Sequence, residues 1–293
     1  MKKLFYLSFL IAFCNCDDND DSNTITNTKI ESYNSVYGQY DSNQYPVVRS
    51  VNLVKLEYDT KGRVSKRIGD VMTYASGSGL GPTITHSYFT TVGYSNNQIK
   101  LTKGLSEPGL SPAIKEAVIT LDGQKRMVKK CNKFEINVGE VLFDTINFKY
   151  KNDKLISYVK TSNQETPRFD IRTFEESSLY YNKKNNLDSI VTITSIKYSD
   201  EPYKILKSKK VHIFENYDTS FNPLKKLGIF EETFYRSLSK NNYRRYSVKT
   251  GSYYYPDQNF SLEPIASPPT VDYTLNWNLT YDANRNWLYN ENN

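Results

Sequence analysis

An alternation of apolar and polar residues, broken at intervals by short polar turns, limits this chain to a narrow range of folds. In "VKLEYDTKGRVSKRI" (54–68), Val54, Leu56 and Tyr58 fall on one side of an extended chain. Asp59 to Gly62 supply a turn, and Val64 and Ile68 resume the pattern. "INFKYKNDKLISYV" (146–159) repeats the scheme around Lys151 to Asp153, and "SLYYNKKNNLDSIVTI" (178–193) around Lys183 to Asn186. Weaker copies are "VGYSNNQIKL" (92–101), "VITLDGQKRMVKK" (118–130) and "LNWNLTYDANRNWLY" (275–289). Successive strand side chains point to opposite faces, so period two interrupted by Asn, Asp, Gly and Lys specifies β-hairpins. The turns fall near residues 60, 96, 123, 152, 184 and 283, a loose repeat. The expected fold is all-β: an elongated, twisted antiparallel sheet of successive β-hairpins, able to curl towards a half-barrel so that its apolar face is covered from within.

The 25 tyrosines and 14 phenylalanines suit a pleated, half-solvated surface, which makes sheet the natural place for them. Three stretches depart from the hairpin pattern. "GDVMTYASGSGLGPTITH" (69–86) is Gly-rich and "TGSYYYPDQNFSLEPIASPPT" (250–270) is Pro- and Tyr-rich, and both are expected as loops. In 215–243, Asn222 and Pro223 suit an N-cap and a first helical position, and Phe230, Phe234 and Leu238 recur every four residues. This spacing predicts one short helix near 229–239.

The N-terminus has the layout of a secretory signal: Lys2 and Lys3, then an apolar run from Leu4 to Phe13. A helix of that run is about 15 Å long, half of what a bilayer core requires. "FCNCDDNDD" (13–21) resembles the lipobox of bacterial lipoproteins, with Cys16 as the acylated residue, since Phe13 would crowd the site before Cys14. The diacylglycerol and amide-linked chain (palmitate-like) implied by that resemblance give membrane anchoring. Asp17, Asp18, Asp20 and Asp21 resemble the surface-export signal of Bacteroidota lipoproteins. The expected organisation is a signal peptide over 1–15, the lipidated cysteine with an acidic tether over 16–28, and one β-rich domain over 29–293. Cleavage before Cys16 leaves Cys131 as the only other thiol, so stability comes from a core and not from a disulfide.

Two further resemblances rest on quoted residues. "YDTKGRV" and "YDANRNW" resemble the YD repeats of Rhs-type proteins, which supports hairpins stacked side by side. Tyr217, Asp218, Asn222, Pro223, Ser239, Lys240, Asn241 and Asn242 match the "YDxxxNP…SKNN" insertion of uncharacterised β-rich surface lipoproteins of Bacteroidota. That family implies a location and a fold class but no activity.

Motifs for chemistry are few. "GSGLGP" (77–82) lacks the Lys-Ser/Thr of a phosphate loop, and a Thr-rich strand follows it in place of a helix. His86 and His212 are the only histidines, without HExxH or Cys-x-x-Cys spacing, and Cys131 has no active-site context, so no cofactor, metal ligand or catalytic residue is assigned. "DTI" (144–146) and "DSI" (188–190) match a Bacteroidota O-glycosylation pattern. The net charge of +6 is scattered and lacks the basic stripe of a nucleic-acid binder. The densest candidate surface is "NNYRRYSVKTGSYYYPD" (241–257), with Tyr243, Arg244, Arg245, Tyr246, Tyr253, Tyr254 and Tyr255. Tyrosine rings and arginine forks suit acidic sugars.

The leading expectation is a non-enzymatic lipoprotein of the outer membrane facing the cell exterior. It would be held by its lipid anchor and would bind a glycan or an outer-membrane protein partner. The alternative is a hydrolase of polysaccharide or peptide, whose two acids would come from distant strands. The lipid assignment is tested by metabolic labelling with a fatty-acid probe: Cys14→Ser should still label, whereas Cys16→Ser should not. Equal labelling of the Cys16→Ser protein sinks the assignment.

Overall fold

The computed structural model describes residues 29–36, 51–76, 79–106, 114–137, 140–165, 170–199, 203–256, 260, 263–281 and 287–289. Cys16 and the four aspartates behind it lie outside these residues. The first strands are β1 (Ser32–Val36), β2 (Val51–Tyr58), β3 (Val64–Ser76), β4 (Gly79–Tyr94), β5 (Gln98–Leu105), β6 (Ile114–Leu121) and β7 (Met127–Asn137). They continue as β8 (Glu140–Lys151), β9 (Lys154–Glu165), β10 (Asp170–Tyr181), β11 (Leu187–Tyr198), β12 (Ile205–Tyr217), β13 (Tyr243–Tyr254) and β14 (Ile265–Ala266). All pair antiparallel, in chain order, in one open sheet, and β15 (Thr270–Asn276) also pairs with β13. β16 (Leu279–Tyr281) and β17 (Trp287–Tyr289) form a separate hairpin. This is the all-β meander expected from the alternation.

The Gly-rich stretch is not a loop. Its residues form the far half of the β3–β4 hairpin, paired from Asp70↔Thr85 to Ser76↔Gly79. Pro82 is tolerated there because β5 pairs with β4 only from Tyr88 onward, so Pro82 lies on an edge where no ladder needs its missing N–H. Within 250–270, Thr250 to Tyr254 likewise continue β13, and Ile265 and Ala266 pair back onto Tyr254 and Tyr253.

One turn chemistry recurs. Asp59 Oδ1 accepts the N–H groups of Lys61 and Arg63, both at 2.9 Å. Asp122 does the same for Gln124 and Arg126, and Asn182 for Lys184 and Asn186. The fourth residue of each turn is left-handed: Gly62 at φ 74°, Lys125 at φ 64° and Asn185 at φ 62°. The tyrosines that precede or face these turns tie each hairpin to its neighbour. Tyr58 donates to Ile30 O at 2.6 Å, Tyr94 to Val64 O and Tyr181 to Leu155 O, both at 3.0 Å, and Tyr217 to Leu187 O. Arg63 stacks 4.1 Å above the Tyr94 ring and Arg126 4.7 Å above that of Tyr150. The Tyr-Asp repeat is therefore a device for setting hairpins side by side: Asp closes the turn, and Tyr bonds the adjacent strand.

The same device exists at the β12–β13 turn, but opened by an insertion. Asp218 Oδ1 accepts from Ser220 N at 3.1 Å and from Asn242 N at 3.2 Å, so Asn242 takes the closing place. Between them lie a 3-10 helix, Pro223–Leu227, and helix α1 (Glu231–Ser237). Asn222 and Pro223 do cap and start a helix, but it is the 3-10 turn; α1 begins after Phe230 without a side-chain cap. Buried Asn222 accepts from Leu224 N at 3.0 Å and donates to Arg236 O and Ser239 O, closing the insertion on itself. Asn241 exchanges bonds with Asn186, and Ser239 Oγ accepts from Leu187 N. The "YDxxxNP…SKNN" residues thus build a neck.

The insertion fills the concave face of the sheet. Leu224, Leu227 and Phe230 pack with Val54, Leu56, Val92, Ile99 and Ile119 of the first strands. Phe234, Tyr235 and Leu238 pack with Leu179, Ile190, Phe214 and Tyr246 of the later ones. Each buried Leu or Phe contributes about 1.5–3 kcal/mol by area. The outward residues carry Lys55, Glu57, Lys100, Lys129, Lys133 and Lys149, all exposed. The inner face therefore holds the packed apolar clusters, while these charges face water.

Lys125 holds a conformation that favours glycine. Lys125→Gly should raise stability in urea by about 0.5–1 kcal/mol, and Gly62→Ala should lower it by a similar amount. Unfolding midpoints that move in the opposite directions would refute the shared turn geometry.

Candidate functional site

Charges converge on α1 from both halves of the sheet. Glu232 is ion-paired with Arg67 of β3 and accepts the Tyr33 hydroxyl of β1 at 2.5 Å. Asp70 lies 3.7 Å from Arg67 and 2.5 Å from Lys103. On the other wall Glu231 meets Lys130 of β7 at 3.4 Å, and Lys160 of β9 lies 3.5 Å from Asp144 and 3.8 Å from Glu175. Burial works against the Arg67 cation, but Glu232, Tyr33 and Asp70 together more than offset it, so Arg67 stays charged. Burial, then Glu232, pushes the Tyr33 hydroxyl well up, and Lys130 holds the Glu231 carboxyl below its ordinary range. Each of these carboxylates already faces a cation. They join the helix to the walls and offer no acid–base pair for hydrolysis.

The residues singled out on β13 do not form one surface. Tyr243 and Tyr246 are fully buried, their rings packed on Phe214. Simple alternation would have put them on opposite faces. Both are buried all the same, and Asn216, at φ 56°, falls between the Glu215↔Arg245 and Tyr217↔Tyr243 pairs at this end of the hairpin. Arg244 reaches Leu279 O at 3.4 Å, and Arg245 lies exposed, 3.5 Å from Glu215. Tyr253 is half-buried, Tyr255 accepts the Leu206 N–H at 2.8 Å against Phe260, and Tyr254 is 55% exposed at the other end of the strand. His212 is buried with Nδ1 2.7 Å from the Tyr246 hydroxyl, exposed His86 lies 2.6 Å from Leu53 O, and Cys131 Sγ is 3.8 Å from Thr145 Oγ1. Among the described residues no cluster of His, Cys, Asp and Glu could hold a metal, and no helix is long and apolar enough to cross a membrane.

A cleft of about 370 Å³ opens where the lead into β1 meets the β2–β3 turn, the end of β4 and the 3-10 helix. Four cationic residues line it, Lys29, Lys61, Arg63 and Lys226, together with Tyr58 and Tyr94, and no carboxylate does. Lys29 lies 5.4 Å above the Tyr58 ring, and Arg63 4.1 Å above that of Tyr94. Burial raises both tyrosines, and their hydroxyls stay protonated as donors to Ile30 O and Val64 O. The adjacent Asp59 is held low by the Arg63 N–H, closes its own turn through Oδ1, and pairs through Oδ2 with the Arg63 guanidinium at 2.7 and 2.8 Å. Aromatic walls with ammonium and guanidinium groups suit an anion carried on a ring. Sequence reading missed this cleft because its residues come from four separate segments; the one signal was the basic residue in each Tyr-Asp turn.

No family model matches the chain, and no curated protein matches it. Among solved structures it is similar to the crystal structure of a porin-like protein from Bacteroides vulgatus. The two share 14% identity at a TM-score of 0.45, over 82% of this chain and 87% of that one. A likeness that slight assigns neither a fold nor an activity.

Replacing one partner of the buried Arg67–Glu232 pair leaves the other uncompensated. Arg67→Met should therefore cost about 3–5 kcal/mol in denaturant unfolding, and adding Glu232→Gln should restore part of it. A loss below about 1 kcal/mol, within the range of exposed pairs, would contradict the bridging role.

Proposed function

We propose that this chain is an outer-membrane lipoprotein, anchored through Cys16 and exported by its acidic tether. In this reading its β-rich domain is a non-enzymatic binding module for an acidic glycan. The observation that carries the reading is the rim cleft: Lys29, Lys61 and Lys226 beside two tyrosine rings, with the fourth cation, Arg63, held by Asp59 at its edge. Hydrolysis of polysaccharide or peptide would call for two facing acids roughly 5–10 Å apart in a cleft. The inner-face acids are instead tied to Arg67, Lys103, Lys130 and Lys160. A charged outer sheet face supports a domain that stands in water beside the bilayer and does not cross it.

The test is a binding screen against uronic, sulfated and neutral oligosaccharides. The native protein should favour the anionic ones, and Lys61→Ala with Lys226→Ala should weaken that binding by at least about tenfold. An Arg244→Ala, Tyr254→Ala pair should bind normally. Loss in that second pair alone would move the site to β13, and preference for neutral sugars would reject the reading.

A further inference from the structure

In an antiparallel meander alternate turns share one end of the sheet. The turns after β2, β4, β6, β8 and β10 and the neck of the insertion therefore form one rim. Side-chain bonds confirm their adjacency: Lys125 Nζ donates to Asn96 O and Lys154 Nζ to Asn185 Oδ1, both at 2.5 Å, and Arg126 meets Asp153 at 2.8 Å. This rim is basic. Beyond the cleft it exposes Lys125, Lys151, Lys154, Lys183, Lys184 and Lys225. Of its acids, Asp59, Asp122 and Asp218 accept amides of their own turns, Asp59 and Asp122 also pair with Arg63 and Arg126, and exposed Asp153 pairs with Arg126. The outer strand face, by contrast, mixes signs, as in Lys100–Glu116 at 2.8 Å and Lys204–Glu176 at 2.6 Å. Among the described residues, six exposed lysines thus line this one end of the sheet.

The chain also enters the domain at that end. β1 runs antiparallel to β2 with Ser32 opposite Lys55, and the Leu56 N–H donates to Glu31 O, which puts Lys29 beside the turn that follows Tyr58. From Cys16 to Lys29 the backbone can span no more than roughly 45 Å. An anchor at Cys16 would keep the end of the domain that carries Lys29 within that reach of the headgroups. Basic groups near an anionic leaflet gain attraction that falls off within a Debye length.

We propose that this rim docks on the phosphate-bearing surface of the membrane, a second and electrostatic contact beside the lipid; the inference rests on the anchor at Cys16. Docking would fix the orientation of the domain and set the outer strand face away from the bilayer.

The experiment uses the full chain carrying Cys16→Ser, cosedimented with vesicles of phosphatidylcholine alone or mixed in equal parts with phosphatidylglycerol. The apolar N-terminal run would bind both alike, so the difference between them is the readout. The mixed vesicles should capture more protein, and added salt should erase the excess. A variant with Lys151, Lys183, Lys184 and Lys225 each changed to Glu should lose that excess by at least about tenfold, while acidic-sugar binding at the cleft stays normal. Equal capture by both vesicles, or an unchanged excess in the variant, overturns the proposal. So does capture of the protein through these lysines by an acidic polysaccharide but not by vesicles. Fatty-acid labelling at Cys16 reads the anchor independently, so failure of the anchor is distinguishable from failure of the rim.

Discussion

A curled sheet with one apolar face depends on whatever covers that face. Here the cover is the insertion between Asp218 and Asn242. The strands reach it in two groups, one closing on Leu224, Leu227 and Phe230, the other on Phe234, Tyr235 and Leu238. No ladder closes the sheet among the described residues, and the insertion packs into both groups, with Trp277 and Leu279 added to the second. Glu231 and Glu232, adjacent at the start of α1, extend the coupling by ion-pairing to opposite walls. Acidic residues are also favoured there by the helix dipole.

The neck explains how such an element can be added to a regular repeat. The Asp218 turn keeps the hydrogen bonds of the Asp59 and Asp122 turns, with Asn242 in the closing place. The meander therefore continues into β13 as though the insertion were absent. Asn222, Ser239, Asn241 and Asn242 then satisfy the polar backbone that a buried crossing would leave unpaired, which is why so many amides cluster in one short span. The same repeat of basic turns that organises the sheet also gathers lysines on one rim, so architecture and electrostatics share an origin.

Much of this was legible in the sequence, for identifiable reasons. Period two and the Asx turns are local, so the hairpins and the short helix could be placed. The Gly-rich 69–86 read as a loop because Gly and Pro usually break strands; its pairing depends on β4 having an edge there, which is a tertiary fact. The burial of both Tyr243 and Tyr246 depends on Phe214, Tyr273 and Trp277 from other segments, which a reading of β13 alone does not contain. The cleft brings Lys29, Arg63, Tyr94 and Lys226 together from far apart in the chain, and no spacing rule joins them.

The central claim is that the insertion is the shared core of both halves. Its most direct measurement is amide hydrogen exchange on a chain in which residues 219–241 are replaced by a two-residue Asn-Gly turn. The account predicts that strands β2–β6 and β10–β13 lose protection together, since both groups lose their inner cover. Retention of native protection in either group would contradict it.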